Sequence, residues 1–384
     1  MTTGDERVDL VLVFDIESAD DLQGPALRRR NWNLERGTRR WRLVIGIVTA
    51  VSLVGLTVPV FLLPVLQARL FTRFIALAVA LLGLQFVVGK AGQLSLCHGV
   101  YVGIGSYTTA ILVGTHRWPY LLAVACSPVV GLAAGCLVGV LALRIRAAYL
   151  GPVTLSVAVA FPMIVKRFGW FTGGSSGLPI LHGVSAPGFI PSAKAYEWVH
   201  LVVVVVAVLA FLIARNLVRS PVGLAVDAVA TDPLASVSYG INVGRYRVMS
   251  AGVGAAFGAL GGALLVLDTP VVGADSYDLF RSLGYYAAVV VGGAASPAGA
   301  VLGSALYTGV PFIVSTYGLL VGPNLVFGVL LLGATFVAPS GLTAAVRDWV
   351  GGFLEVAEER RPAESDPDQR RPPKSAPSRG APSG

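Results

Sequence analysis

Between Leu43 and Ala338 the chain runs as a succession of apolar stretches about as long as a bilayer is thick, separated by short polar connections. A perpendicular helix needs roughly 20 apolar residues to cross the hydrocarbon core. On that measure the pattern predicts spans at residues 43 to 66, 70 to 88, 94 to 114, 119 to 143, 147 to 165, 198 to 214, 248 to 267, 282 to 294, 297 to 316 and 319 to 338. The expected fold is all-α, a polytopic transmembrane helical bundle of about ten spans. The stretch 282 to 294 is short for a crossing, so it is either re-entrant or extended upstream from Asp278. If it crosses, both chain ends lie on one side of the membrane.

None of these spans contains Asp or Glu. Proton- and sodium-coupled transporters place ionisable groups inside the membrane. A polytopic protein without an intramembrane carboxylate is therefore expected to draw its energy from a partner.

Two polar segments interrupt the apolar pattern. Lys166 to Trp198 holds Thr172-Gly173-Gly174-Ser175-Ser176-Gly177 followed by Pro179, Pro187 and Pro191, which predicts an irregular external loop. Arg215 to Arg247 is polar, Ala-rich and short of turn signals until Gly240, which predicts a short helix pair lying on the cytoplasmic face.

Charge refines the orientation. Of 29 Lys and Arg, eight precede Leu43 and seven follow Ala338, with Arg28, Arg29, Arg30, Arg36, Arg39, Arg40 and Arg42 crowded ahead of the first span. Basic flanks favour the cytoplasmic side, so both termini are expected there in a cell (inner or plasma) membrane. The anionic lipid surface is the expected partner of this basic run, and nucleic acid is not. Residues 1–42 form a basic arm without a cleavable signal pattern, 43–345 the permease-like membrane domain, and 346–384 a Pro- and Arg-rich tail too polar to order itself. The 14 remaining Lys and Arg divide evenly between the two faces of this topology, so orientation rests on the tails.

Little in the chain supports catalysis. The four histidines and three cysteines have no metal-ligand spacing, and Gly83 to Lys90 resembles a phosphate loop only superficially, with Ala91 where a metal-binding hydroxyl belongs. No cofactor and no enzymatic activity are expected.

The strongest local signal runs from Gly89 to Leu112. Gln93, Ser95 and His98 bring uncharged polar groups to the membrane edge, and Gly92, Gly99, Gly103 and Gly105 allow a broken or closely packed helix. Broken helices are one way in which transporters expose backbone polar groups to a solute. Polar contacts between helices explain Gln93 and Ser95 equally well.

This segment resembles the membrane permease subunits of branched-chain amino acid ABC importers, the LivH/LivM family, and within it the LivM type. The family's G-Q-x-S-L-G-H-G-x-F-x-G-I-G-A-Y is matched at Gly92, Gln93, Ser95, Leu96, His98, Gly99, Gly103, Ile104, Gly105 and Tyr107, with Cys97 in place of the usual Gly. A second set of matches comprises Leu143-Arg144-Ile145-Arg146, Tyr149, Thr154-Leu155 and Thr172 through Leu178. A third comprises Ser220-Pro221-Val222-Gly223, Gly240-Ile241-Asn242, Arg245-Tyr246, Gly261-Gly262-Ala263-Leu264, Val291-Gly292-Gly293 and Gly299.

The resemblance implies a passive permease paired with a homologous second permease, driven by separate cytoplasmic ABC ATPase subunits that use the ATP, and fed by an extracellular or periplasmic solute-binding protein. It places Gln93, Ser95, His98, Gly99, Tyr107, Thr154, Gly173 and Gly174 on the substrate pathway. It assigns ATPase coupling to Gly223, Leu224, Asp227, Val229, Leu234, Ala235, Gly240 and Ile241, with Leu224, Val226, Val229, Leu234 and Val237 as an apolar docking face. The family's charged run G-R-A-L-R-A-I-R-E-N-E is replaced here by a sequence with Leu224, Asp227, Ala230, Thr231 and Pro233. Branched-chain or related amino acids are the implied solutes. The alternative is a stand-alone secondary transporter or channel for a small urea- or amide-like solute, for which His98 is the available titrating group.

Overall fold

The structure is a computed structural model that describes residues 64–144, 149–180, 195–269, 271–294 and 296–317, with residue 57 and scattered positions from 325 to 343. The expectations for the arm, for nearly all of spans 43 to 66 and 319 to 338, for the tail and for Pro187 and Pro191 lie outside the described residues.

Ten helices carry the described chain. They are α1 (Val65–Gln85), α2 (His98–Ala110), α3 (Tyr120–Leu143), α4 (Leu150–Arg167), α5 (Ala195–Arg219), α6 (Pro221–Thr231), α7 (Pro233–Ser238), α8 (Val243–Val266), α9 (Leu279–Gly292) and α10 (Pro297–Thr316). Single π-helical turns extend α1 through Phe86–Lys90 and α2 through Ile111–Thr115. Six of these helices are long and apolar enough to cross a membrane: α1 with its π turn, α3, α4, α5, α8 and α10. The chain is a multi-pass membrane protein.

Two ends of the bundle can be told apart. At one, the two-residue strands β1 (Leu178–Pro179) and β2 (Val271–Val272) form a short antiparallel ladder that joins the loop after α4 to the loop after α8. At the other, α6 and α7 form the short helix pair that the polar pattern predicted. The stretch 282 to 294 belongs to a helix that begins earlier, at Leu279, where the Asp278 carboxylate caps it by accepting the Arg281 N–H at 3.0 Å. This helix starts at the ladder end, and its far end reaches α1, where Gln85 Nε2 donates to the Ala294 carbonyl at 2.8 Å. α10 then runs back against it, with the Tyr307 ring tilted against Tyr285 at 5.1 Å between ring centroids.

Other helices of the second half also start at signals written in the sequence. Ser220, Asp232 and Ser296 each cap a helix whose first residue is proline. A proline there sacrifices no intrahelical hydrogen bond, and the polar side chain satisfies an orphan amide.

α8 is the hub, packing on α1, α2 and α3. Its own face toward α2 includes Gly262, where a Cβ would collide with the Val102 carbonyl. On α3, Gly131, Gly135 and Gly139 recur at four-residue spacing, and Ala255 and Ala259 of α8 fill the space that the first two leave. In lipid the hydrophobic drive between helices is absent, so close backbone approach has to supply the packing energy.

One buried charge cluster ties α1 to the ladder end of α8. Asp268, just beyond α8 and only 10% exposed, lies 3.6 Å from Arg69 Nε and 3.3 Å from Arg73 Nε. Its Oδ2 accepts no well-aligned hydrogen, so the contact is ionic rather than directed. Burial pushes the Asp268 carboxyl above its ordinary range, against the lowering effect of the two guanidinium groups.

Two outcomes follow from this packing. Gly262→Val should lower the thermal midpoint of the purified chain in detergent by the equivalent of about 1–3 kcal/mol, because the neighbour is backbone. Gly309→Ala on α10, where nothing among the described residues lies within 4 Å, should be neutral or stabilising by up to about 1 kcal/mol. Asp268 gives a pH test. A folded-state carboxyl above its unfolded value favours the protonated fold, so this group adds stability as pH falls through its raised value toward the ordinary carboxylate range. The thermal midpoint of the parent chain minus that of Asp268→Asn should therefore rise between pH 7 and pH 4; a flat difference would refute the assignment.

Candidate translocation and coupling site

The segment between α1 and α2 is the break that the glycine pattern suggested. The π turn closes with Ala91 N–H on the Phe86 carbonyl at 3.1 Å, and Gly92 adopts φ +61°, turning the chain into a non-helical run to Cys97. This run sits at the helix-pair end, where Gly92 abuts Ala230 of α6. It is held from two sides. Gln93 Nε2 donates to Ser250 Oγ at 2.9 Å and to the Arg247 carbonyl at 3.1 Å, both on α8. Thr154 Oγ1 of α4 accepts the Leu96 N–H at 3.1 Å and donates to the Gly151 carbonyl at 2.9 Å.

The residues assigned to a substrate pathway therefore separate into four places. Gln93, Ser95 and Thr154 gather around the non-helical run. A cavity of about 220 Å³ opens beside Gly92 and Gln93, toward Val229 and Pro233 of the helix pair. Ser95 and Thr154 instead border a gap of about 20 Å³, room for little more than one water.

His98 is sealed in the bundle at 1% exposure, its Nε2 2.8 Å from the Ala80 carbonyl and its ring against Gly258. Gly99 admits Ser282 of α9 at a distance no side chain would allow. Tyr107 lies at the ladder end, where its hydroxyl donates to the Val272 carbonyl at 3.3 Å and its ring meets Phe161 and Tyr277. Gly173 and Gly174, with φ of +77° and +59°, turn the loop that leads into β1. His98 and Gly99 thus serve helix packing, and the others line two opposite ends.

The coupling residues fall on one element pair, but the apolar face divides. Val226 and Val229 are buried at 2% and 4%, Val226 packing with Phe86 and Ala91. Leu224, Leu234 and Val237 point outward, and Tyr239 joins them at 85% exposure. Asp227 pairs with Lys90 at the end of the α1 π turn, Nζ to Oδ2 3.1 Å. Gly223, Ala235, Gly240 and Ile241 shape the corners. Gly223 N–H donates to Ser220 Oγ, Ala235 N–H to Asp232 Oδ1 and Ile241 N–H to the Ser236 carbonyl, while Gly240 takes φ +76°. The pseudo-phosphate loop is helix, with Gly83 packed on Gly254 and Lys90 engaged by Asp227.

One feature escaped sequence reasoning. A cavity of about 740 Å³ opens at the ladder end among α1, α9, α10 and the end of α8, lined by Arg73, Asp275, Asp278, Arg281, Tyr285 and Tyr307 among others. Arg281 and Tyr285, one turn apart at the start of a short apolar span, were the available signal.

Comparison with known proteins places this architecture. No solved structure matches the chain. It is 30% identical over 255 residues to the high-affinity branched-chain amino acid transport system permease protein LivM of Escherichia coli strain K12, a match covering 59% of this chain and 58% of that protein. The LivM protein of Salmonella typhimurium strain LT2 matches over the same length at the same identity. The match thus spans less than two thirds of each relative. The family profile described as branched-chain amino acid transport system, permease component, matches residues 66–338. That profile covers the helices around α8, the tethered break after α1 and the α6–α7 pair, and the chain belongs to this permease family.

Proposed function

We propose that the chain is the passive membrane subunit of an ABC importer for branched-chain or related amino acids. On this reading it works beside a homologous second permease, takes energy from separate ATPase subunits and receives solute from an extracellular binding protein. The helix-pair end is then cytoplasmic and the ladder end external, with about ten spans and both termini inside. The observation that carries the reading is the exposed apolar patch of Leu224, Leu234, Val237 and Tyr239 on a polar surface outside the spans. An unpartnered apolar helix face there suits a groove on another protein.

The patch is also rigidly connected to the bundle. Val226 and Val229 anchor it from beneath, and Asp227 fastens it to Lys90, directly before the tethered run 91–97. A push on α6 would reach the Gly92 turn through Ala230 without passing through a flexible loop. Gln93, Ser95 and Thr154 then belong to the cytoplasmic mouth of the pathway, and Tyr107, Gly173 and Gly174 to its external side.

Carboxylates in the described helices lie outside the membrane interior: Glu197 in the first turn of α5 and Asp227 on α6. The stand-alone transporter alternative needs a titrating group on a water path. Its candidate, His98, is enclosed by helix backbone, which weighs against it.

Leu234→Asp combined with Tyr239→Asp leaves the core untouched and places two carboxylates in the docking patch. Co-purification of the ATPase subunits and ATP-driven leucine uptake in proteoliposomes should each fall about tenfold or more, since hot-spot anchors of this kind carry about 2 kcal/mol or more each. The thermal midpoint of the isolated chain should stay within about 0.5 kcal/mol equivalent, as for other surface changes. Unchanged ATPase association would refute the docking assignment.

A further inference from the structure

The cavity at the ladder end carries one charge, that of Arg281, that no carboxylate among the described residues pairs. Arg73 is engaged by Asp268, and Asp275 by Lys166 at 2.7 Å. Asp278 uses Oδ1 to cap α9. Arg281 lies against the Tyr285 hydroxyl, and among the described residues no carboxylate pairs with it, Asp278 included. Its guanidinium is exposed to the cavity beside apolar walls supplied by Leu77, Leu265 and Pro311.

A guanidinium is a planar fork that accepts a carboxylate in two parallel hydrogen bonds, and such charge-assisted pairs strengthen away from bulk water. Three residues earlier on the same turn, Asp278 borders the same cavity with one carboxylate oxygen free of the cap. The volume, about 740 Å³, falls within the range of about 300–1,000 Å³ found for small-molecule sites.

We propose that this cavity is a binding site for a zwitterionic aliphatic α-amino acid: Arg281 takes the carboxylate, Asp278 the ammonium, and Leu77, Leu265 and Pro311 the side chain. The site rests on the importer reading, to which it adds a place where solute is held before it passes the bundle. A lipid phosphate shares the anion chemistry that Arg281 recognises. The neighbouring Asp278 disfavours a phosphate dianion and favours a ligand carrying both charges.

The test uses the full chain in detergent, titrated with L-leucine, isocaproate (no ammonium), isoamylamine (no carboxylate) and inorganic phosphate, with binding read by saturation-transfer NMR. Arg281→Gln should weaken leucine and isocaproate about tenfold or more and leave isoamylamine unchanged, with Arg281→Lys intermediate. Asp278→Asn, which keeps a good helix cap, should weaken leucine and isoamylamine and leave isocaproate unchanged. Leucine binding indifferent to both substitutions would overturn the proposal, as would phosphate displacing leucine at equal concentration. ATP-driven leucine uptake by the assembled complex is read separately. A parent complex that fails to transport while leucine binding depends on Arg281 refutes the importer reading and leaves the site standing. Normal transport with leucine binding unaffected in the variants refutes the site and leaves the importer.

Discussion

The contact on which the rest of the structure depends is the close approach of helix backbones around α8. Lipid tails are as apolar as leucine, so burying side chains gives helices no reason to associate. What remains is packing at short range, and short range requires that there be nothing at Cβ on one of the two partners. The glycines of α8 and α3 meet that requirement against α1, α2 and one another. Once α8 is seated, the rest of the layout has little freedom. α1 and α2 are held at a separation at which His98 reaches the Ala80 carbonyl, and α9 closes over Gly99.

A bundle packed so tightly leaves few places that can move, and the polar segments mark them. The run 91–97 is irregular, tethered by side-chain hydrogen bonds from α8 and α4. Side-chain tethers of this kind can exchange partners at low cost, whereas a helical turn buried in backbone contacts cannot. The helix pair abuts this run through Ala230 and the Lys90–Asp227 pair, which gives the run a mechanical connection to the surface patch.

The six long apolar helices were legible because hydrophobic length is a one-dimensional property, and the Ser-Pro and Asp-Pro pairs that cap three helices are signals of the same local kind. Which face of α6 meets the bundle was not. Leu224, Val226 and Val229 are all apolar, and only the angle at which α5 delivers the chain decides that two of them turn inward. The family motif places His98 on the pathway, and in the structure its ring pairs with a carbonyl on a helix 18 residues upstream, a pairing no local pattern reveals. The cavity at the ladder end was hidden for the same reason, since α1, α8, α9 and α10 each contribute a few residues that mean nothing apart.

The charges show how such a chain can be polar at its ends and passive between them. Asp268, Asp275 and Asp278 gather at the ladder end and Asp227 at the helix-pair end; the ion pairs of Asp268, Asp275 and Asp227 each join two elements, and Asp278 caps its own helix. On the importer reading, a carboxylate held at the ends of the helices, outside the apolar spans, does not carry a proton through the interior. Alternation between inward- and outward-facing states is, on the same importer reading, imposed from outside the bundle, and the exposed apolar patch of Leu224, Leu234, Val237 and Tyr239 is where a force could be applied without first disturbing the packing around α8.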